Sequence, residues 1–439
     1  MRLTQPSRRS FLALTGAAVV SRHAAAEYRS PEAGLREAFI TPQDFLAAGA
    51  KNHHEAIQKA LDAAAGRPGS RVFLPTPEEG RYTLSEPLLV RGSGIRIEGA
   101  SDQTLLVLTG ADQDGIIVDG AATPTGRIGR ISIRSLFLVA SPAPMKRGAS
   151  IRLVSASDVV LEDLVLEKSG AGLLLDRTNN VTLRTVAINH VGGDHALRWT
   201  APAGSRADVL TIHGLTIQNR YNGADGFVCD GNVQTLRWHG GSIMGCKIAF
   251  WVQTTRSKID FPAHFFISNL ETDGQLERSV LVEAGHHIVF LGSDLSNTSG
   301  APQQGGRDHA TVELRPDRGF SETRDIEFVG GRIGNTQEQA MLINARHVRV
   351  TAGVAVGDAS KAGVGKFPVI EIGPEASQIM IVGSDIGGQY GQPVRASRPI
   401  LIRRGAFRVL VTANNFNGAL TNNAAAEEGA KEISIRDNL

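Results

Sequence analysis

Apolar and polar residues alternate in short runs along most of this 439-residue chain. Four successive runs resemble one another, each opening with Asp or Asn and continuing in alternating apolar residues; they span 158–166, 180–188, 208–217 and 232–243. A period of roughly 22 to 28 residues with strand-type alternation is typical of a solenoid built coil by coil. We therefore predict one long all-β domain with about a dozen coils rather than several domains.

A helix is predicted before the first coils. Asn52 followed three residues later by Glu55 is typical of a helix start, and a stripe of apolar residues follows at helical spacing. We predict an amphipathic helix over about 52–65 that covers the open edge of the first coil, where unpaired backbone groups would otherwise meet another chain.

The segments around this helix carry a resemblance to a known family. The helix is followed by the strand Val72–Pro75, by Tyr82 with Leu84, and by Ile97–Ala100. This order resembles the N-terminal portion of the pectate-lyase superfamily, above all proteins related to glycoside hydrolase family 28. The resemblance implies a single-stranded right-handed parallel β-helix, which we place over residues 41–439. Independently of the resemblance, the residues at about 421–439 form a polar C-terminal tail. The family's acidic, Gly-Asp-rich segment before the helix is reduced here to Asn52–His54.

The N-terminus has the features of an export signal. Ser7-Arg8-Arg9-Ser10 precedes the apolar run 11–20 and then Ala24–Ala26, so we predict a twin-arginine signal over 1–26 and a linker over 27–40. The apolar run is about half the ~20 residues that a membrane span needs. The predictions are passage through the twin-arginine export machinery, a periplasmic or secreted bacterial protein, and no membrane insertion after signal cleavage.

Charge and cysteine content limit which partners and which disulfide bonds we expect. Cleavage after Ala26 removes four of the 46 basic residues and none of the 44 acidic ones, leaving a net charge of about −2. This balance gives no electrostatic reason to expect nucleic acid. Repeat alignment places Cys229 in a strand and Cys246 in a turn, so we expect two buried free thiols rather than a disulfide.

Candidate chemistry comes from aligning the coils on their last strands. This alignment predicts that Asp194, Asp225, Lys247 and Arg278 form one vertical column, with neighbouring coils about 4.8 Å apart. Two carboxylates at such a separation suit an acid and a base in glycoside cleavage, and the cations suit a uronate carboxylate. The alternative is structural, because Asp before a strand is an ordinary turn residue.

Further candidates flank this column. His195 lies next to Asp194, Asp230 follows Asp225 in the same strand, and Trp251 would stack on a sugar ring or pack in the core. Residues 222–226, Asn-Gly-Ala-Asp-Gly, resemble the family-28 Asn-Thr-Asp-Gly element with one residue inserted, which implies a catalytic role for Asp225. We also expect Tyr221 and Asn222 to bind substrate. The other catalytic motifs of the family are not present in this sequence in the form that the family has.

These features predict an exported enzyme that cleaves a polysaccharide, acidic by preference, through hydrolysis with Asp225 and Asp194 as acid and base. One alternative is a lyase acting by β-elimination, with Lys247 or Arg278 abstracting the proton. Another is a glycan-binding or structural β-helix without catalysis, since a fold alone does not prove activity. A C5-epimerase is a third, without a local motif. We predict no metal site and no cofactor, with calcium left open for the lyase alternative.

Overall fold

The computed structural model describes residues 39–49, 52–101, 104–219, 223–254, 261–296, 309–316, 323–336, 338–357, 364–387, 395–417, 419–421 and 423–439. Two helices are found among them, α1 over Pro42–Ala47 and α2 over His53–Ala65. The remaining elements are strands in two sheets, and every strand pairing is parallel. The predicted signal over 1–26 lies outside the described residues.

The minor sheet supplies one strand per coil and has thirteen strands, so the expectation of about a dozen coils is confirmed. Its strands are Leu88–Val90, Ile116–Asp119, Ala149–Val154, Ala171–Asp176, His195–Ala201, Asp225–Gly231, Ile248–Gln253, Arg278–Val282, Val312–Leu314, Met341–Ile343, Ile370–Ile372, Ile400–Ile402 and Ala425–Ala426.

The major sheet covers the rest of each coil and has 22 strands. They are Phe39–Ile40, Arg71–Leu74, Tyr82–Leu84, Arg96–Gly99, Leu105–Leu108, Ile128–Ala140, Ala156–Glu167, Asn179–Asn189, Ala207–Gln218, Val233–Met244, Ala263–Asp273, Gly285–Leu291, Asp294–Ser296, Thr323–Val329, Arg332–Gly334, Arg346–Thr351, Ala355–Gly357, Ser377–Val382, Asp385–Gly387, Phe407–Thr412, Asn415–Asn417 and Lys431–Arg436.

The long strands of the major sheet have two residues in the left-handed backbone conformation, one near the start of the strand and one near its middle, where the strand bends. Asp163, Thr185 and Gly214 hold this position in three successive coils, with φ of 52°, 50° and 68°. Glycine tolerates the conformation without strain, and Asp and Asn tolerate it better than most residues. Because of the bend, the two halves of each long strand lie on different faces of the coil. Each coil therefore encloses a core instead of lying flat.

The core is an axial stack of apolar side chains. Phe227 and Phe250 stack with ring centroids 4.9 Å apart, and Phe290 and Phe328 continue the stack at 5.1 Å. Each is at most 2% exposed, and burying a side chain of this size stabilises the fold by about 1.5–3 kcal/mol. The parallel register repeats this contact from coil to coil.

The ends of the domain agree with most of the sequence predictions. Helix α2 begins where predicted: the Asn52 side chain accepts a hydrogen bond from the Glu55 backbone N–H at 2.8 Å, and the whole predicted stripe is buried. The predicted linker over 27–40 is wrong at its last two residues, because Phe39–Ile40 pairs with Arg71–Leu74. The tail is part of the solenoid, since Lys431–Arg436 pairs with Phe407–Thr412.

Candidate functional site

The register of the minor sheet corrects the predicted column. His195, not Asp194, lies opposite Asp225, because Leu197 pairs with Phe227. Asp225 in turn aligns with Ile248 and Arg278 on the following coils. The alignment from sequence was one residue out between Asp194 and Asp225, and a shift of one residue changes which side chains are neighbours.

His195 and Asp225 form a pair at the start of their strands. His195 Nδ1 lies 3.3 Å from Asp225 Oδ2, with the histidine side chain 20% exposed and the carboxylate 6% exposed. Within the described part of the chain, neither His195 Nδ1 nor Asp225 Oδ1 has a hydrogen-bond partner, so the 3.3 Å contact is an ion-pair distance and not a hydrogen bond. The backbone fixes the carboxylate's place, since the Asp225 N–H donates to the Asp194 carbonyl at 2.8 Å. A partly exposed imidazole in front of a buried carboxylate is suited to proton transfer.

Asp194 and Lys247 lie at the edge of this pair rather than inside it. Asp194 is exposed, and Lys247 is part-exposed on the coil after Asp225. The Lys247 backbone N–H donates to the Ala224 carbonyl at 2.8 Å, which places Lys247 one residue before the Asp225 column. Its ammonium group has no ion-pair partner among the residues that the structure describes. Both side chains therefore remain accessible to a ligand.

Asp230 is fully buried on the outer side of the same strand. Its carboxylate accepts from Arg198 Nη2 at 3.0 Å, with no exposed surface on the aspartate. Because leaving a buried charge unpaired is costly, this contact stabilises the face on which the ligand would lie. The arrangement shields Asp230 from substrate, so its predicted catalytic role is not supported by its position.

Arg278 is the centre of a second buried ion network. Its Nε donates to Glu313, its Nη1 lies 3.3 Å from Glu277 Oε2, and its Nη2 contacts His309 Nδ1 at 3.0 Å. The guanidinium thus has all three nitrogens engaged, and its side chain is 7% exposed. This geometry does not favour the predicted binding of a substrate carboxylate, because each guanidinium nitrogen already has a partner and the side chain is almost fully buried.

Trp251 belongs to the same face through its indole. Its Nε1 donates to Glu283 at 2.8 Å, and Arg315 bridges Glu283 and Glu313 with two contacts of 2.9 Å. The ring is part-exposed while its neighbours in the strand are buried. A part-exposed ring held by its own N–H can stack on a sugar.

Two other aromatic residues of these strands lie in the core and not beside Trp251. Trp199 aligns with Cys229 and Phe227 with Phe250, and all four are buried in the core. Of the predicted binding residues, Tyr221 and Asn222 lie outside the described residues.

Burial of His309 and the cysteines affects their protonation. Burial, followed by the positive charge of Arg278, lowers the pKa of His309, so its Nδ1 accepts a hydrogen bond from the guanidinium at neutral pH. Cys229 and Cys246 are buried free thiols, as predicted. Burial raises the pKa of Cys246 to about 12. Neither is suited to act as a nucleophile, because the thiolate is the reactive form.

Sequence reasoning missed Arg198, Glu283, Glu313 and Arg315. Glu313 carried a usable signal, since it stands between Val312 and Leu314 in a three-residue strand and must face outward there. Within the described ranges, no group of three or more His, Cys, Asp or Glu side chains is arranged to hold a metal ion. The described helices include none with the length and apolar character required to span a membrane.

Comparison with solved structures confirms the fold. Tailspike protein 3 of bacteriophage CBA120 is 14% identical with a TM-score of 0.66, and the alignment covers 95% of this chain and 65% of the tailspike. The A-module of the mannuronan C-5 epimerase AlgE4 of Azotobacter vinelandii is 16% identical, with a TM-score of 0.54 and coverage of 91% and 99%. The surface adhesin PfbA of Streptococcus pneumoniae is 12% identical, with a TM-score of 0.52 and coverage of 90% and 93%.

The likeness to these neighbours confirms the predicted right-handed parallel β-helix fold. Neither a family model nor a curated protein matches the sequence. The likeness is therefore one of architecture, and the chemistry must be argued from the side chains.

Proposed function

We propose that this protein is an exported enzyme that cleaves a polysaccharide laid along the outer face of the minor sheet. The observation that carries the proposal is the His195–Asp225 pair, in which a part-exposed imidazole faces a buried carboxylate at 3.3 Å. His195 is the catalytic residue, and Asp225 is a positioning residue that acts through it. Export rests on the predicted twin-arginine signal.

Hydrolysis needs a proton on the departing glycosidic oxygen and a water molecule that adds to the anomeric carbon. His195 in its protonated form donates that proton, and the nearby Asp225 carboxylate stabilises the imidazolium before the transfer. The exposed Asp194 takes the proton that the attacking water loses. This assignment keeps the predicted pair of carboxylates but gives the direct role of acid to the histidine between them.

The substrate class follows from the surrounding side chains. Lys247 presents an ammonium without an ion-pair partner in the described part of the chain, which favours a sugar carboxylate. Trp251 offers an indole fixed by Glu283 two coils from His195. The epimerase neighbour, which acts on mannuronan, supports an acidic polysaccharide as the ligand class.

The same groups also support a lyase, in which His195 abstracts the proton next to a sugar carboxylate that Lys247 neutralises. The accessible ammonium favours this second candidate, and a calcium ion would serve only in this case. The two reactions differ in their products, because only elimination leaves an unsaturated sugar that absorbs in the near ultraviolet.

The test is incubation of the mature chain with acidic and neutral polysaccharides, followed by reducing-end and ultraviolet assays. His195→Gln should lower the rate by about 100- to 10,000-fold, the range for a general acid or base. Asp225→Asn should lower kcat and shift the pH profile without a matching change in KM.

The matched control is His239→Gln on the major sheet, where the ring is exposed and contacts Ser268 at 3.1 Å. This variant should cleave like the wild-type chain. Product formation by His195→Gln at the wild-type rate, or no product from any polysaccharide, would refute the proposal.

A further inference from the structure

A groove on the outer face of the major sheet lies apart from the His195 site. It has a volume of about 600 Å³ and runs across five consecutive coils. One wall is a column in which Val289, Glu327, Arg349, Met380 and Leu410 align in register. Four coil steps of about 4.8 Å give it a length of about 19 Å, which suits an extended ligand.

The second wall is a parallel column of polar side chains: His287, Asp325, His347, Gln378 and Arg408. All five have φ between 51° and 58°, the left-handed conformation that recurs at this corner of the coils. Asp325 accepts from His347 Nδ1 at 2.9 Å and lies 4.0 Å from His287 Nε2.

Two opposite charges in the groove are unpaired. Glu327 and Arg349 align on neighbouring coils, yet within the described residues neither side chain takes part in a hydrogen bond or an ion pair. Arg349 is a pure donor and Glu327 is an acceptor when ionised, while His287 and Gln378 can do both. Met380, 37% exposed, and Leu410 add an apolar surface between them.

We propose that this groove binds a saccharide segment. Sugar hydroxyls donate and accept hydrogen bonds, and their ring faces pack on apolar side chains, which matches mixed donors and acceptors around Met380 and Leu410. The near balance of positive and negative side chains lacks the excess positive charge that nucleic acid binding requires. The inference rests on the proposed function for its polymer: a second contact far from His195 holds the polysaccharide on the enzyme.

The test compares groove variants with a like-for-like control. Arg349→Ala removes the unpaired guanidinium, and Glu327→Gln removes the unpaired carboxylate charge at nearly constant shape. Arg237→Ala changes an exposed arginine of the same column, outside the groove lining, where it aligns with Phe266. Each full-length mature chain is run in native gels that contain alginate, polygalacturonate or dextran.

We expect at least one polysaccharide to retard the wild-type chain and Arg237→Ala equally. Loss of a hydrogen bond to a charged group should raise the apparent Kd of Arg349→Ala and Glu327→Gln about tenfold. Equal retardation of all four chains, or none for the wild-type chain, would overturn the groove assignment.

His195→Gln separates this inference from the proposed function. Loss of product with groove-dependent retardation intact supports both. Groove-dependent retardation in a wild-type chain that forms no product supports the groove and refutes the enzyme. Retardation that depends on His195 and not on Arg349 overturns the groove assignment and leaves the enzyme standing.

Discussion

Replacing Arg278 by Met tests whether the ion network of the minor sheet is structural or binds substrate. The side chains of Arg278 and Glu313 are each 7% exposed, and removing one partner of a buried pair costs about 3–5 kcal/mol. Glu313 keeps its contact with Arg315 at 2.9 Å, so the loss should lie near the lower limit, about 3 kcal/mol.

The assay measures the denaturant concentration at the midpoint of unfolding of the mature chain. The slope of the transition should be the same for the variants and the wild-type chain. The matched control is Arg91→Met, which removes an arginine paired with Asp62 at 3.2 Å while both side chains are about half exposed. Such surface pairs contribute less than about 1 kcal/mol, so this midpoint should stay near that of the wild-type chain.

A second substitution sharpens the test. Glu313 aligns with Leu281 on one neighbouring coil and Leu342 on the other, so Glu313→Leu continues an apolar column. Buried ion pairs are often replaced by apolar residues without loss of stability, and the double variant with Arg278→Met should recover to within about 1 kcal/mol of the wild-type chain. Equal midpoints for Arg278→Met and Arg91→Met, with loss of polysaccharide cleavage only in the former, would show that Arg278 binds substrate.

Three further predictions follow from the fold. Gly387→Ala should unfold the last coils or prevent folding, because the new Cβ would lie 1.1 Å from the backbone oxygen of Asn417. Gly383→Ala has open space around the new Cβ and should lower the free energy of unfolding by about 1 kcal/mol in the midpoint assay. Since the pKa of His309 is lower in the folded chain, the unfolded chain takes up the proton first; stability should fall as pH drops below about 6.5, and His309→Gln should flatten this dependence in denaturation at each pH. Cys229 and Cys246 should react with a thiol reagent only after unfolding; labelling of the native chain would contradict their burial.

The fold was predictable because its information is local and repeated. Alternation fixed which residues of each strand face the core, and the Asn52 start with its apolar stripe fixed helix α2. The pairing of Asn180 with Asp158, at 2.6 Å, shows that two of the opening residues stack as the repeat predicts. The prediction of the fold therefore tolerates a small error in any one coil, because about a dozen coils show the same pattern.

The prediction of the candidate site gains nothing from the repeat, because it depends on the register between only two coils. The turn before Asp225 differs in length from the turn before His195, and no side-chain pattern within the strands reports that difference. Phe227 and Val228 are both apolar and both buried, so either was acceptable opposite Leu197 from sequence, and the wrong choice exchanged His195 for Asp194. Core residues of similar character therefore determine the fold while leaving the chemistry undetermined, and the residues that act on a ligand are those whose place only the hydrogen-bonded register can fix.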